Sequence, residues 1–216
     1  MQTVRNIILI VSALFPIVDP LGGSPIFLSL TRDYQPAARR TLSRQIAINS
    51  FFLLVGSYLI GTHILAFFGI SLPAVQVGGG LIVIATGWNL LKRRDDENRE
   101  GMHHSAHPQD IFHQAFYPLT LPLTVGPGSI SVAVTLGANA SHAGLNILAI
   151  LASIVGSAVI ALSIFLCYGF ADRLARILGV TGTTVIVRLT SFLLVCIGVQ
   201  IVWNGVSAFL ASVPVH

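Results

Sequence analysis

The sequence predicts an all-α membrane protein whose six transmembrane helices form two inverted three-helix repeats. Only 9% of its 216 residues are charged and 54% are apolar, whereas a soluble domain carries about 25% charged residues. Six apolar stretches are long enough for a membrane span, which needs about 20 residues. A triplet of prolines also recurs with identical spacing 102 residues later in the chain. The composition therefore argues against a soluble enzyme.

The six spans are predicted to be helices because an isolated segment in lipid must satisfy its own backbone hydrogen bonds. In chain order they cover residues 5–31, 45–67, 72–91, 114–138, 143–170 and 188–210. The connectors after the first, third and fifth spans, with the foot of the sixth, hold eleven of the twelve Lys and Arg residues. Since cytoplasmic loops carry the excess of positive charge, both termini are predicted to lie outside.

The first and fourth spans carry the clearest sign of an internal repeat. Each holds three prolines, spaced four and then five residues apart, and the six are Pro16, Pro20, Pro25, Pro118, Pro122 and Pro127. A weaker similarity between the two halves pairs Gly87 and Asn89 with Gly198 and Gln200. Because each copy has an odd number of spans, the second copy enters the membrane from the opposite face, as in many secondary transporters.

The domain organisation follows from this repeat. Residues 1–216 are predicted to form a single transmembrane domain. Its first repeat covers residues 1–92, its cytoplasmic connector 93–113 and its second repeat 114–216.

Proline and glycine are predicted to break the first and fourth spans near residues 22 and 126, close to the bilayer centre. Proline removes a backbone N–H and clashes with the carbonyl four residues earlier. We expect helices to restart at Ser24–Pro25 and at Gly126–Pro127, since Ser caps helices and Pro suits the first helical position. The two N-termini would offer free N–H groups to an anion such as a carboxylate.

The predicted binding site lies where these two breaks meet. Asp19 is the only Asp, Glu, Lys or Arg deep within a span, where a charge costs about 2.5–3.5 kcal/mol on insertion scales. Three roles stay open for it: binding a substrate ammonium, carrying a proton, or capping broken backbone as a protonated acid. The predicted substrate-binding residues are Asp19, Pro20, Gly22, Gly23, Ser24, Pro25, Thr120, Pro122, Thr124, Gly126, Pro127, Gly128 and Ser129.

Other features point to structural roles. The glycines at 78–80 are expected to allow close helix packing, and residues 171–178 predict a short basic interfacial helix. No metal, cofactor or nucleic-acid partner is expected. The connector histidines lack the cysteines and spacing of a metal site, and no aromatic residues alternate with the basic ones. No protease or hydrolase motif and no pair of intramembrane aspartates is present, so an enzyme is not expected. The histidines are His103, His104, His107 and His113.

Four segments resemble the MarC family of integral membrane proteins, which belongs with the LysE-type exporter superfamily. They are DPLGGSPIF at 19–27, VGGGLIV at 77–83, PLTLPLTVGPGSI at 118–130 and RLTSFLLVCIGVQ at 188–200. The resemblance covers nearly the whole chain and implies a six-span protein of the bacterial or archaeal cytoplasmic membrane. Characterised relatives resemble transporters of small neutral amino acids such as glycine and alanine, some of them proton-coupled.

The resemblance carries over to individual positions of the predicted site. The matching residues are Asp19, Pro20, Gly22, Pro25, Pro122, Gly126, Pro127 and Gly128. The family accepts Asn as well as Asp at the position of Asp19. The chain departs from the family pattern at Val77, where relatives often have Arg, and at Thr190–Ser191, where they often have Met-Gly.

The leading hypothesis is a secondary transporter of small neutral amino acids in the lipid bilayer, with the two repeats rocking about the pocket. Nothing in the chain resembles a nucleotide-binding loop, so an ion or solute gradient would drive transport. The alternatives are an exporter of another small compound or drug, and a structural or regulatory membrane protein that transports nothing. The substrate, the direction, the coupling to protons and the assembly into a homo-oligomer stay open.

Overall fold

The computed structural model describes residues 2–31, 34–92, 115–142 and 147–212, and within these ranges the regular structure is helical throughout. The connector predicted at 93–113, with its histidines, lies outside the described residues. The helices are α1 Gln2–Val18, α2 Pro20–Leu30, α3 Pro36–Phe67, α4 Leu72–Lys92, α5 Ala115–Thr124, α6 Pro127–His142, α7 Ile147–Gly169 and α8 Ala171–Ser212. Helix α5 is irregular, because the backbone angles of Tyr117 and Leu121 are not helical.

Several helices are long and apolar enough to cross a membrane. Among the described residues there are five such spans, or six if the bent pair α5 and α6 forms one. Their outer faces expose large apolar side chains, such as Phe52 at 66% and Trp203 at 62%. Such side chains suit contact with lipid. The prediction of an all-α membrane protein is therefore confirmed.

Two helix boundaries differ from the predicted spans. Helix α3 begins at Pro36, nine residues before the predicted 45, so most of the predicted connector 32–44 is helical. The sixth span begins at Thr181, well before the predicted 188. The prediction of these two boundaries was wrong, because hydropathy detects only the part of a helix that suits the hydrocarbon. A proline at the first helical position starts α3 outside that apolar part.

Gly179 divides α8 into two parts. Its backbone has φ +64° and ψ −177°, a combination that is essentially restricted to glycine. The predicted short helix at 171–178 is therefore present as a separate part of α8, and its place at the membrane surface stays a prediction.

The main apolar core lies between α1, α3, α5 and α7. Its most buried members, each at most 1% exposed, include Leu14, Ile46, Leu54, Ile160 and Ile164. This core holds the α1–α2 junction against α7, so it positions the site described below.

Helices α4 and α8 pack with their backbones almost in contact. A Cβ atom added to Gly80 would lie 2.8 Å from the carbonyl oxygen of Gly198, and one added to Gly198 would lie 2.8 Å from that of Gly80. Seven residues away, a Cβ atom on Gly87 would lie 2.7 Å from the carbonyl oxygen of Ser191. Close approach of helices at small residues is typical of packing in membranes.

Helix α6 packs closely on the same α4. A Cβ atom on Gly79 would meet the side chain of Ser131, whose hydroxyl donates to the carbonyl of Val75 at 2.9 Å. By contrast, a Cβ atom on Gly78 would have no atom of another described helix within 4 Å. The predicted packing role of the glycines at 78–80 is therefore confirmed for two of the three.

Candidate functional site around Asp19

Asp19 interrupts the helix between α1 and α2. With φ 44° and ψ 63° it is left-handed, the only such non-glycine residue in the described ranges, and Asp tolerates this conformation better than most residues. Its Oδ1 accepts a hydrogen bond from the backbone N–H of Gly22 at 3.0 Å. With Pro20 as the first helical residue, Asp19 is the N-cap of α2.

The predicted restart at Ser24–Pro25 was therefore wrong. Helix α2 starts at Pro20 and runs through Gly22, Gly23, Ser24 and Pro25, so the interruption lies at Asp19 and not near residue 22. Asp-Pro and Ser-Pro both fit the pattern of a cap followed by proline, and the fold uses the first of them. The hydroxyl of Ser24 bonds instead to the carbonyl of Cys167 on α7 at 3.2 Å.

The carboxylate of Asp19 faces α8. A Cβ atom on Gly22 would meet this carboxylate and would lie 2.7 Å from Oγ1 of Thr190. The hydroxyl of Thr190 in turn lies 2.9 Å from the carbonyl oxygen of Ile186, to which it donates. Asp19 is half-buried, so its side chain retains accessible surface.

Tyr168 of α7 connects α2 to the end of α5. Its ring stacks on Phe27, with centroids 4.8 Å apart and planes at 11°, and its hydroxyl lies 3.1 Å from Oγ1 of Thr124. The proton of Thr124 goes to the carbonyl of Leu119 at 2.7 Å, so Tyr168 is the donor to Thr124. A Cβ atom on Gly23 would lie 2.6 Å from the same tyrosine hydroxyl. One buried side chain thus touches both α2, which follows the interruption at Asp19, and the end of the irregular helix α5.

The second irregular segment bends by 70° between α5 and α6. The chain leaves the helical conformation at Val125 and Gly126, where the sequence predicts a break, and Pro127 is the first residue of α6. The hydroxyl of Ser129 donates to the carbonyl of Gly126 at 3.0 Å. A Cβ atom on Gly128 would meet Val83 of α4.

The fold brings part of the predicted site together. Asp19, Gly22, Gly23 and Thr124 surround the region that Tyr168 contacts. The hydroxyl of Thr120 donates to the carbonyl of Ala115 within α5, and Pro122 lies inside the same helix.

Sequence reasoning missed Tyr168 and Thr190 as neighbours of Asp19. Tyr168 lies at the end of a predicted span, where an aromatic residue is typical of the membrane interface. For Thr190 there was one indication of a special role in the sequence, namely that this position departs from the family pattern. Neither signal predicts contact with a residue more than 140 positions away.

Comparison with known proteins places the chain in a family. The model of the MarC family of integral membrane proteins matches residues 4–210. The chain belongs to the MarC family. No solved structure matches it.

Relatives with similar sequences come from bacteria and archaea. The membrane protein YvbG of Bacillus subtilis is 32% identical, over 89% of this chain and 90% of that protein. A membrane protein of Methanocaldococcus jannaschii is 30% identical, over 94% and 97%. The inner membrane protein MarC of Salmonella typhimurium is 32% identical, over 89% and 90%. This MarC-family chain is therefore a multi-pass integral membrane protein.

Removing the hydroxyl of Tyr168 should weaken the link between α2 and α5. We expect Tyr168→Phe to lower the free energy of unfolding by about 1 kcal/mol, the net value of one buried hydrogen bond. Thermal unfolding in detergent measures this. Tyr58→Phe is the matched control. Tyr58 is also buried, but its contact with Gly137 of α6 is made by its backbone, which the variant leaves unchanged. Equal losses in the two variants would contradict the role of the Tyr168 hydroxyl.

Proposed function

We propose that this MarC-family protein is a secondary transporter of small neutral amino acids across the cytoplasmic membrane, with its substrate site beside Asp19. The observation that carries the proposal is the meeting, at Tyr168, of the helix that follows the interruption at Asp19 and the irregular helix α5, one from each half of the chain. Irregular backbone at membrane depth is tolerated only where protein buries it or where it lines a cavity. Two such segments in contact are typical of transporter binding sites.

The chemistry of this region suits a small zwitterion. The carboxylate of Asp19 would hold the substrate ammonium. Because that carboxylate already caps α2, the N-terminus of α6 at Pro127 is the better place for the substrate carboxylate, since its first N–H groups have no intrahelical partner. Gly22 and Gly23 have no space for a methyl group, so the backbone of α2 lies close to Asp19, Thr190 and Tyr168.

Proton coupling would depend on Asp19, the only acidic residue deep within a predicted span. Its side chain is half-buried and lies close to Thr190 of α8. Acidic side chains in the membrane interior are typical of proton relays in transporters.

The inverted repeat, which alternating access would use, has support from the helix contacts. Gly80 packs on Gly198, and Gly87 packs on Ser191. Residues 111 positions apart correspond in the two repeats, so residue 80 corresponds to 191 and residue 87 to 198. Exchanging the two repeats therefore turns each of these contacts into the other. Likewise α1 packs on α7, while α5 and α6 pack on α3. We propose that the spans containing Asp19 and Gly126 are broken near the bilayer centre and that both termini lie outside.

Transport into proteoliposomes tests the proposal. Purified protein is reconstituted, and uptake of radiolabelled glycine and alanine is measured with and without a proton gradient. A pH difference of about one unit supplies about 1.36 kcal/mol per proton, so one-proton coupling should concentrate the substrate up to about tenfold.

The outcomes separate the hypotheses. Uptake or counterflow of glycine or alanine supports the amino-acid carrier, and accumulation that requires the gradient supports coupling to protons. Neither uptake nor counterflow, from protein shown to be folded by its circular dichroism and thermal unfolding, would overturn the amino-acid proposal. The exporter of another compound and the non-transporting membrane protein would then be tested next.

A further inference from the structure

We propose that the protein has a second, anion-binding site at its predicted cytoplasmic face, formed by arginines of α3 and α8. A cavity of about 330 Å³ lies between the first turns of α3 and the corner where α7 meets α8. The charged residues that line it are Arg39, Arg40, Asp172, Arg173 and Arg176. The proposal does not depend on the transport activity.

The charged residues that line this cavity are mostly positive. Among the described residues that line it, Asp172 is the only acidic one, and it forms an ion pair with Arg39, Nη1 to Oδ1, at 2.7 Å. Three further arginines belong to the same described lining. These described residues therefore present an excess of three positive charges to an anion in the cavity.

Arg39 has a buried donor that is left unsatisfied. Its side chain is 15% exposed, and its Nε atom is buried with no hydrogen-bond partner in the described part of the chain. An unpaired buried donor on a charged group costs free energy. Arg39 therefore has hydrogen-bonding capacity that the described part of the chain does not use, and the same residue lines the cavity.

The N-terminus of α3 adds to the same potential. This 32-residue helix begins at Pro36, and its N-cap Gln35 makes no side-chain capping bond. Pro36 and Ala37 line the cavity, so the positive end of the helix lies beside it. The arginines carry the proposal, and the helix terminus supports it.

Topology alone does not account for this arrangement. The positive-inside rule places arginines on one side of the membrane, but it does not require them to meet. Here residues 133 positions apart join α3 to α8. Arg173 stands over the ring of Phe170, 5.6 Å from its centroid, and Nε of Arg176 donates to the carbonyl of Asp172 at 3.2 Å. Both side chains are thus held at the cavity.

The chemistry favours a phosphate group as the ligand. Guanidinium groups bind phosphate oxygens through paired, charge-assisted hydrogen bonds, and several arginines together suit a phosphate better than a single carboxylate. The phosphate could belong to the headgroup of an anionic phospholipid in the adjacent leaflet or to a free solute. Both sources present the same chemistry to the site.

Binding is tested on the full-length protein in neutral detergent. Thermal unfolding is followed by the fluorescence of Trp88 and Trp203 during titration with inorganic phosphate, phosphatidylglycerol or zwitterionic phosphatidylcholine. We expect one of the two anions, and not phosphatidylcholine, to raise the unfolding temperature. The double variant Arg40→Gln/Arg176→Gln should weaken that binding at least about tenfold, the effect of losing about 1.4 kcal/mol.

The matched control removes the same charge from the same side of the membrane. Arg44 and Arg188 do not line the cavity, so Arg44→Gln/Arg188→Gln should bind the anion nearly as the wild type does. A response to phosphatidylglycerol alone identifies the headgroup as the ligand, and a response to inorganic phosphate identifies a free anion. No preference of the wild type for either anion over phosphatidylcholine would overturn the proposal, as would equal weakening in both double variants. Native mass spectrometry of the wild type measures retained phosphatidylglycerol without any variant.

Discussion

Asp19→Asn should leave the protein folded and abolish accumulation driven by protons, whereas Asp19→Ala should destabilise it by about 2 kcal/mol. Asn retains both structural contributions of Asp19. Its side-chain oxygen can accept the N–H of Gly22, as Oδ1 now does at 3.0 Å, and Asn tolerates the φ of 44°. Alanine loses the cap and is strained in the left-handed region. The two variants therefore separate the structural role from the charge.

Proteoliposome uptake and thermal unfolding measure these two effects. With a proton gradient, Asp19→Asn should take up substrate only to the level that the wild type reaches without a gradient. Driven uptake that survives in Asp19→Asn would keep the carrier but exclude Asp19 as the proton site. If Asp19→Asn were as unstable as Asp19→Ala, the capping role would be wrong.

Gly80→Ala should be among the most destabilising single-methyl changes in the protein. The added Cβ atom would lie 2.8 Å from the carbonyl oxygen of Gly198, and a backbone atom cannot move aside as the end of a flexible side chain can. Helices α4 and α8 would have to separate along their contact. Overpacking of this kind costs about 1–3 kcal/mol, and we expect the upper end of that range because the contact is between two backbones.

Gly78→Ala is the control two residues away on the same helix. A Cβ atom there would have no atom of another described helix within 4 Å, and alanine favours the helix by up to about 1 kcal/mol relative to glycine. Thermal unfolding in detergent should therefore place Gly78→Ala at or above the wild type and Gly80→Ala well below it. Equal responses would contradict the packing of α4 on α8.

The sequence predicted the fold class and most of the spans because those depend on local composition. A helix that crosses a bilayer requires about 20 apolar residues. A stretch such as 72–91 meets this requirement by its own composition, whatever helices pack beside it. The prolines around Pro122 and Pro127 likewise indicated irregular backbone, since the loss of an N–H is a property of the residue itself. The start of α3 at Pro36 was missed because hydropathy does not detect helix outside the apolar window.

What the sequence by itself determined is thus a helical membrane protein of the MarC family with an acidic residue beside interrupted helices. Only the tertiary structure decided that Asp19 and not Ser24 caps α2, and that Tyr168 joins α2 to Thr124. It also decided that arginines near residues 39 and 173 meet at one cavity. The physical reason is the distance along the chain over which each effect acts. Hydropathy and proline act within a few residues, whereas these contacts join residues far apart in the chain and depend on how the helices pack.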